Sequence, residues 1–168
     1  MKAGFFKILQ VDHVGIEVSD LKRAEQFYVN LLGMELFMRL PDQLLLQCGP
    51  QRIALFENRM RKPGGKEQLT EPRGKPHHAF LVSKDELWQS KRLFEERRVP
   101  FHNPIDWGDH HCIYFLDPDE NLLELVHAPV MPSSPSPSAS APSASAPLAS
   151  APSPNPLPRE GGEGRKKR

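Results

Sequence analysis

Cysteine is scarce in this chain. Cys48 and Cys112 are the only two in 168 residues, which excludes a disulfide scaffold, and their separation fits no zinc-binding spacing. Long apolar runs are missing too: nothing approaches the ~20 residues a bilayer-spanning helix needs. The opening "MKAGFFKILQVDH" is broken by Lys7, Gln10 and Asp12, a poor pattern for a signal peptide. Charge of one sign is lacking as well, with a formal net charge of +1, so no nucleic-acid-binding surface is indicated. These absences lead us to expect a soluble, cytoplasmic protein with neither a membrane nor a nucleic-acid partner.

The last quarter of the chain lacks aromatics altogether. From Pro129 it reads "PVMPSSPSPSASAPSASAPLASAPSPNPLPREGGEGRKKR" and holds ten of the 18 prolines. Such a composition cannot bury enough apolar surface to offset its ordering entropy, so 129–168 is expected to be a disordered tail with a basic end. Arg159, Arg165, Lys166, Lys167 and Arg168 against Glu160 and Glu163 give it +3, which leaves −2 for residues 1–128.

What 1–128 does contain is a repeat. "HVGIEVSDLKRAEQFYVNLLG" starts at His13 and "HHAFLVSKDELWQSKRLFEERRV" at His77. Each opens on histidine, runs through an apolar strand to Val-Ser, then enters an amphipathic helix. Leu21, Ala24, Phe27, Tyr28, Leu31 and Leu32 recur at helical spacing in the first, with Gly33 as its stop. Leu87, Trp88, Leu93 and Phe94 do so in the second, with Pro100 just beyond. Ser19 or Asp20 can cap the first helix, and Ser83 with Glu86 forms a capping box for the second. Three strand-like pieces follow each helix: "MELFMRL", "QLLLQCG" and "RIALFE", then "PFHNP", "CIYFLD" and "LLELVHA". The fold class expected is α+β: two tandem βαβββ modules, about 9–58 and 76–128, joined by a linker at 59–75. They are expected to form a paired, cleft-shaped mixed sheet with helices outside.

Aligning the repeats gives a candidate site. His13 and His77 both stand five residues before the equivalent valines, and His78 matches Val14. Side chains alternate between faces along a strand, so His77 shares the face of His13 while His78 takes the other. "LLELV" aligns with "RIALF", which sets Glu124 against Ala54. A carboxylate among leucines is costly unless it is paired or bound to a cation. Two imidazoles and one carboxylate form a set that leaves positions open on a divalent ion. His110 and His111 could act as acid or base at the cleft rim.

The stretches "DHVGIEVSDLKRAEQFYVNLLGMEL", "HHAFLV" and "IYFLDPDENLLELV" resemble the vicinal oxygen chelate superfamily, the group of glyoxalase I, extradiol dioxygenases, fosfomycin thiol transferases and bleomycin-resistance proteins. The resemblance implies a paired-βαβββ cleft over 9–128, commonly dimeric, with His13, His77 and Glu124 as ligands of one divalent ion per chain (Fe(II), with Mn(II), Ni(II) or Zn(II) as alternatives). It implies a small-molecule substrate with vicinal oxygens. Glyoxalase-like members place a fourth ligand where this chain has Ala54, and Glu57 could replace it only through a bulge. Tyr114 sits where dioxygenase-like and thiol-transferase-like members place an active-site tyrosine. Departures accompany each match. The linker has no histidine for extradiol chemistry, Glu120 stands at a usual glycine, and Gly15 stands where fosfomycin enzymes carry threonine. The expected activity is that of a metal-dependent, dioxygenase-like oxidoreductase. A glyoxalase-like lyase, a thiol transferase and a metal-free bleomycin-type binder are the alternatives.

Overall fold

A computed structural model describes residues 10–128; the expected tail at 129–168 lies outside them. Strand β1 (His13–Val18) leads into α1 (Leu21–Glu25), which Asp20 caps by accepting the Arg23 N–H. The helix widens into a π-helical turn over Gln26–Leu31, and Gly33 ends it at φ +76°, a conformation glycine takes without Cβ strain. Strands β2 (Glu35–Leu40), β3 (Gln43–Cys48) and β4 (Gln51–Glu57) complete the first module. A linker with one 3₁₀ turn at Lys66–Leu69 follows. The second module repeats the order with β5 (His78–Leu81), α2 (Lys84–Arg97), β6 (Ile105–Asp106), β7 (His111–Leu116) and β8 (Leu122–His127). Ser83 and Glu86 make the capping box.

The two sheets have equivalent orders, β1-β4-β3-β2 and β5-β8-β7-β6. In each, the first and last strands of the module run parallel and the others antiparallel. This is the α+β double βαβββ fold. One expected strand moved: in "PFHNP" only Phe101 bridges Phe115, and the paired segment starts at Ile105, after Pro104. Proline has no N–H to give a ladder.

Alternation fixes which face does what. Ile16 and Val18 of β1, Ile53 and Leu55 of β4, and Leu44 and Leu46 of β3 are buried in one core with Phe94, Ile113, Phe115, Leu123 and Leu125 of the second module. Phe115 stacks 4.8 Å from Phe94 and 6.3 Å from Phe27. Each sheet therefore turns its helix-side face into a shared interior and its other face outward.

A polar latch closes this interior. The buried Asp117 carboxylate in the β7–β8 turn accepts the Tyr28 hydroxyl (2.8 Å) and the backbone N–H groups of Asp119 and Asn121. Arg23 donates to Asp119 (2.7 Å), and Asn121 donates to the Glu17 carbonyl (3.0 Å). A turn of the second module thus grips the first.

Candidate functional site

On the outward face of the second sheet, Cys112, Tyr114, Leu116 and Leu122 form a second buried cluster. Leu69 of the linker, Ile105 and Val126 pack against it. Glu124 belongs to the same face: it pairs across the sheet with Tyr114 on β7 and with Ala79 on β5. Its side chain is only 10 % exposed, and His77 Nε2 lies 3.0 Å from its Oε2. His77 Nδ1 is 2.7 Å from the Lys75 carbonyl. An N–H at Nδ1 satisfies that carbonyl, which directs the other ring nitrogen at the carboxylate.

Tyr114 meets the His77 ring edge-on at 5.2 Å. Burial, and then the negative charge of Glu124, push its phenol up to about 12. Cys112, beside it, is pushed up to about 11, again chiefly by burial, while its Sγ accepts from Trp107 Nε1 at 3.4 Å. The face therefore presents a neutral O–H and a neutral S–H around one buried carboxylate and one imidazole.

His78 follows the expected parity: it faces the helix side, and burial lowers its pKa. His111 stands on the other face of β7 from Tyr114, edge-on to Trp88 at 6.0 Å. His110 lies in the preceding loop, 2.6 Å from Asp109 and stacked on Trp107. Neither sits with Tyr114 around the Glu124 carboxylate. Glu57 shares the helix-side parity of Ile53 and Leu55, accepts the Leu21 N–H and pairs with Arg59. The β3–β4 register has no slip that would rotate it outward.

His13 is in the equivalent place on the first sheet, outward-facing, with Nδ1 2.9 Å from Asp12. The chain does not carry it to His77 and Glu124. Among the described residues no three histidine, cysteine or acidic side chains are gathered closely enough to hold an ion. The pair fits a metal nonetheless. An imidazole nitrogen and a carboxylate oxygen are both donors to divalent ions, and here His77 Nε2 and Glu124 Oε2 meet at 3.0 Å. Two of the three expected ligands therefore meet, and the third, His13, lies on the outward face of the other sheet.

Two features escaped sequence reading. Cys112 belongs to this floor, which the alternation of "HCIYFL" around Tyr114 would have shown. The linker does too, through Leu69, and only tertiary structure reveals that.

Two βαβββ modules of equivalent strand order, packed on one shared core, define the architectural class. The match is specific: residues 10–125 fit the model of the Glyoxalase/Bleomycin resistance protein/Dioxygenase superfamily, and the chain belongs to that family. It is 28 % identical over 117 residues to the glutathione transferase FosA of Serratia marcescens, covering 68 % of this chain and 78 % of that one. To the metallothiol transferase FosB of Staphylococcus epidermidis it is 29 % identical over 121 residues, covering 71 % and 82 %. The crystal structure of the fosfomycin resistance protein FosX from Listeria monocytogenes shares the fold with a TM-score of 0.61 at 21 % identity, covering 74 % of this chain and 97 % of that one. Among the described residues no helix is long and apolar enough to cross a membrane.

Proposed function

We propose that the protein is a divalent-metal-dependent enzyme whose site is completed between two copies of the chain. His77 and Glu124 of one copy and His13 of the other hold the ion. The observation that carries this reading is the 3.0 Å His77–Glu124 pair on a buried floor, with the third histidine displayed on a face that is still open. That face exposes Phe37, Met38, Leu40 and Phe56, an apolar surface of the kind a partner covers.

The bound ion would supply Lewis acidity, polarising oxygens of a small substrate at its open positions. The protein's own side chains do the rest. Tyr114 stays protonated far above neutral pH and donates a hydrogen bond to a substrate oxygen that gains charge. Lys75 holds His77 through its carbonyl, and the Leu69–Ile105 wall excludes water from the floor. With Ala54 at the place of a fourth ligand, three protein ligands remain. That number suits group transfer or dioxygenase chemistry, and the similarity to two transferases favours group transfer to a small oxygen-bearing substrate. Gly15, where fosfomycin enzymes carry threonine, points to a substrate other than theirs.

Metal loading of the full chain tests the proposal, with Fe(II), Mn(II), Ni(II) and Zn(II) offered in turn. One ion per chain should bind the wild type and His78→Ala and be lost in His77→Ala and Glu124→Gln, with folding intact. If no ion binds the folded wild type, or if all four proteins bind equally, the metal reading fails. The cleft is then a metal-free binding pocket.

A further inference from the structure

The ammonium of Lys75 has unusual partners for a lysine. The residue is half-buried, and its Nζ donates to two backbone carbonyls, of Glu67 at 3.3 Å and of Gln68 at 3.1 Å. Among the described residues no carboxylate pairs with it. Both carbonyls belong to the 3₁₀ turn at Lys66–Leu69, and the carbonyls at the end of a helical turn favour a cation. Lys66, in the same turn, is exposed and makes no such bond among the described residues.

The backbone of Lys75 is restrained as well. Its N–H donates to the Pro72 carbonyl at 3.3 Å, and the following Pro76 confines the Lys75 torsions to the extended region. These restraints set the direction of the Lys75 carbonyl, which lies 2.7 Å from His77 Nδ1. The opposite ring nitrogen meets Glu124 at 3.0 Å. A continuous chain of bonds therefore runs from the linker turn through Lys75 and His77 to the buried carboxylate. The turn at its head is itself anchored to the second module. The Gly65 N–H donates to the Glu120 carboxylate at 2.8 Å, and Gln68 Nε2 donates to the Glu120 carbonyl at 2.9 Å. Leu69 packs on the Tyr114 cluster, and the Arg73 guanidinium lies 5.0 Å over the Trp107 ring.

We propose that Lys75 is a positioning residue: its ammonium clamps the linker turn, so that its own carbonyl aims the His77 imidazole at Glu124. The consequence for an ion rests on the metal reading above; the aim of the ring does not. Without the ammonium the Lys75 peptide is free to turn and the Nδ1 bond lapses. The ring then samples several orientations, only one of which offers Nε2 to the site.

The test uses the full-length chain with Lys75→Met, Lys75→Gln and Lys75→Arg. Lys66→Met is the control for losing one charge from the same turn, and two neutral replacements at 75 guard against one that fails to fold. In metal-free wild type the His77 Nδ1–H proton, identified by its loss in His77→Ala, should be protected from solvent exchange and visible by nitrogen-correlated NMR. That signal should vanish in Lys75→Met and Lys75→Gln and persist in Lys66→Met. It should return in Lys75→Arg, whose fork still reaches two acceptors. Affinity for the ion that loads the wild type should fall about 10–100-fold in the neutral variants, with the melting profile of Lys66→Met. A His77 signal that persists in the neutral variants, or an ion affinity in them equal to that of Lys66→Met, overturns the proposal. If none of the proteins binds an ion while the signal behaves as described, the metal reading falls and the clamp stands.

Discussion

The two modules share one topology and differ in what they set on the outward face. In the second, the lattice positions on β7, β8 and β5 are Tyr114, Glu124 and Ala79; in the first, the equivalent positions are Leu45, Ala54 and Gly15. The second face is buried beneath the linker and Ile105, whereas the first exposes Phe37 at 53 % and Phe56 at 41 %. The same backbone carries a buried polar floor in one module and an exposed apolar face in the other. Only the leading histidine, His13 or His77, is common to both. Duplication supplies equivalent positions; side-chain choice decides which become a site.

Truncating the two faces of the fold should break this comparison most sharply. Phe115→Ala removes a fully buried ring between Phe94 and Phe27 and should cost about 3–5 kcal/mol by denaturant unfolding. Phe37→Ala should barely move the unfolding midpoint of dilute protein and should instead weaken self-association, read by sedimentation. If Phe37→Ala destabilised as much as Phe115→Ala, the first outward face would not be an open one.

The turns sharpen the contrast next. The β7–β8 turn grips the first module through Asp117, Asp119 and Asn121, while the β3–β4 turn at Gly49-Pro50 makes no such latch among the described residues. Tyr28→Phe leaves buried Asp117 one donor short and should cost about 1–3 kcal/mol. A cost near zero would mean the latch contributes nothing to module packing.

The phenols supply a pH test. Both tyrosines are raised, Tyr28 well above its ordinary value by burial and Tyr114 to about 12. A phenol whose folded pKa exceeds the unfolded value of 10.0 stabilises fully below pH 10 and loses that contribution as pH rises through 12. In metal-free protein the absorbance at 295 nm should therefore stay low at about pH 10.5, where an ordinary tyrosine is mostly ionised. Early ionisation of one tyrosine would mean that its surroundings are wetter than described.

The smallest effect concerns Glu120, held at φ +58° where glycine is easier. Its carboxylate accepts the Gly65 N–H at 2.8 Å, and its carbonyl accepts from Gln68, so the strained residue ties the linker to the turn. Glu120→Gly relieves strain and loses that bond. Stability should change by less than about 1 kcal/mol, while amide exchange over 64–69 should quicken. Unchanged exchange would mean the linker is fixed by other contacts.

Periodicity made most of this architecture legible. Alternation in "HHAFLV" separated His77 from His78, and the repeat assigned Glu124 its strand and face. The Ser83–Glu86 box and the Gly33 stop located the helix ends. What periodicity does not encode is distance between elements far apart in sequence. His13 and His77 hold equivalent places, yet equivalence under a pseudo-twofold does not mean contact. Their separation follows from helix-side faces meeting in one core, a matter of packing between modules. The linker's cover over the floor escaped for the same reason, since Leu69 and Arg73 gain meaning only beside Ile105 and Trp107.

Complementation between copies tests the central claim most directly. His13→Ala and Glu124→Gln chains, each prepared alone, should hold no tightly bound ion. In an unfolded-and-refolded equal mixture, half the dimers pair one chain of each kind, and each such dimer rebuilds one of its two sites, so ion binding should return to about a quarter of the wild-type level. Recovery at that level places His13 and Glu124 of different copies on one ion. No recovery from the mixture, or wild-type binding by the His13→Ala chain alone, would contradict a site shared between two copies.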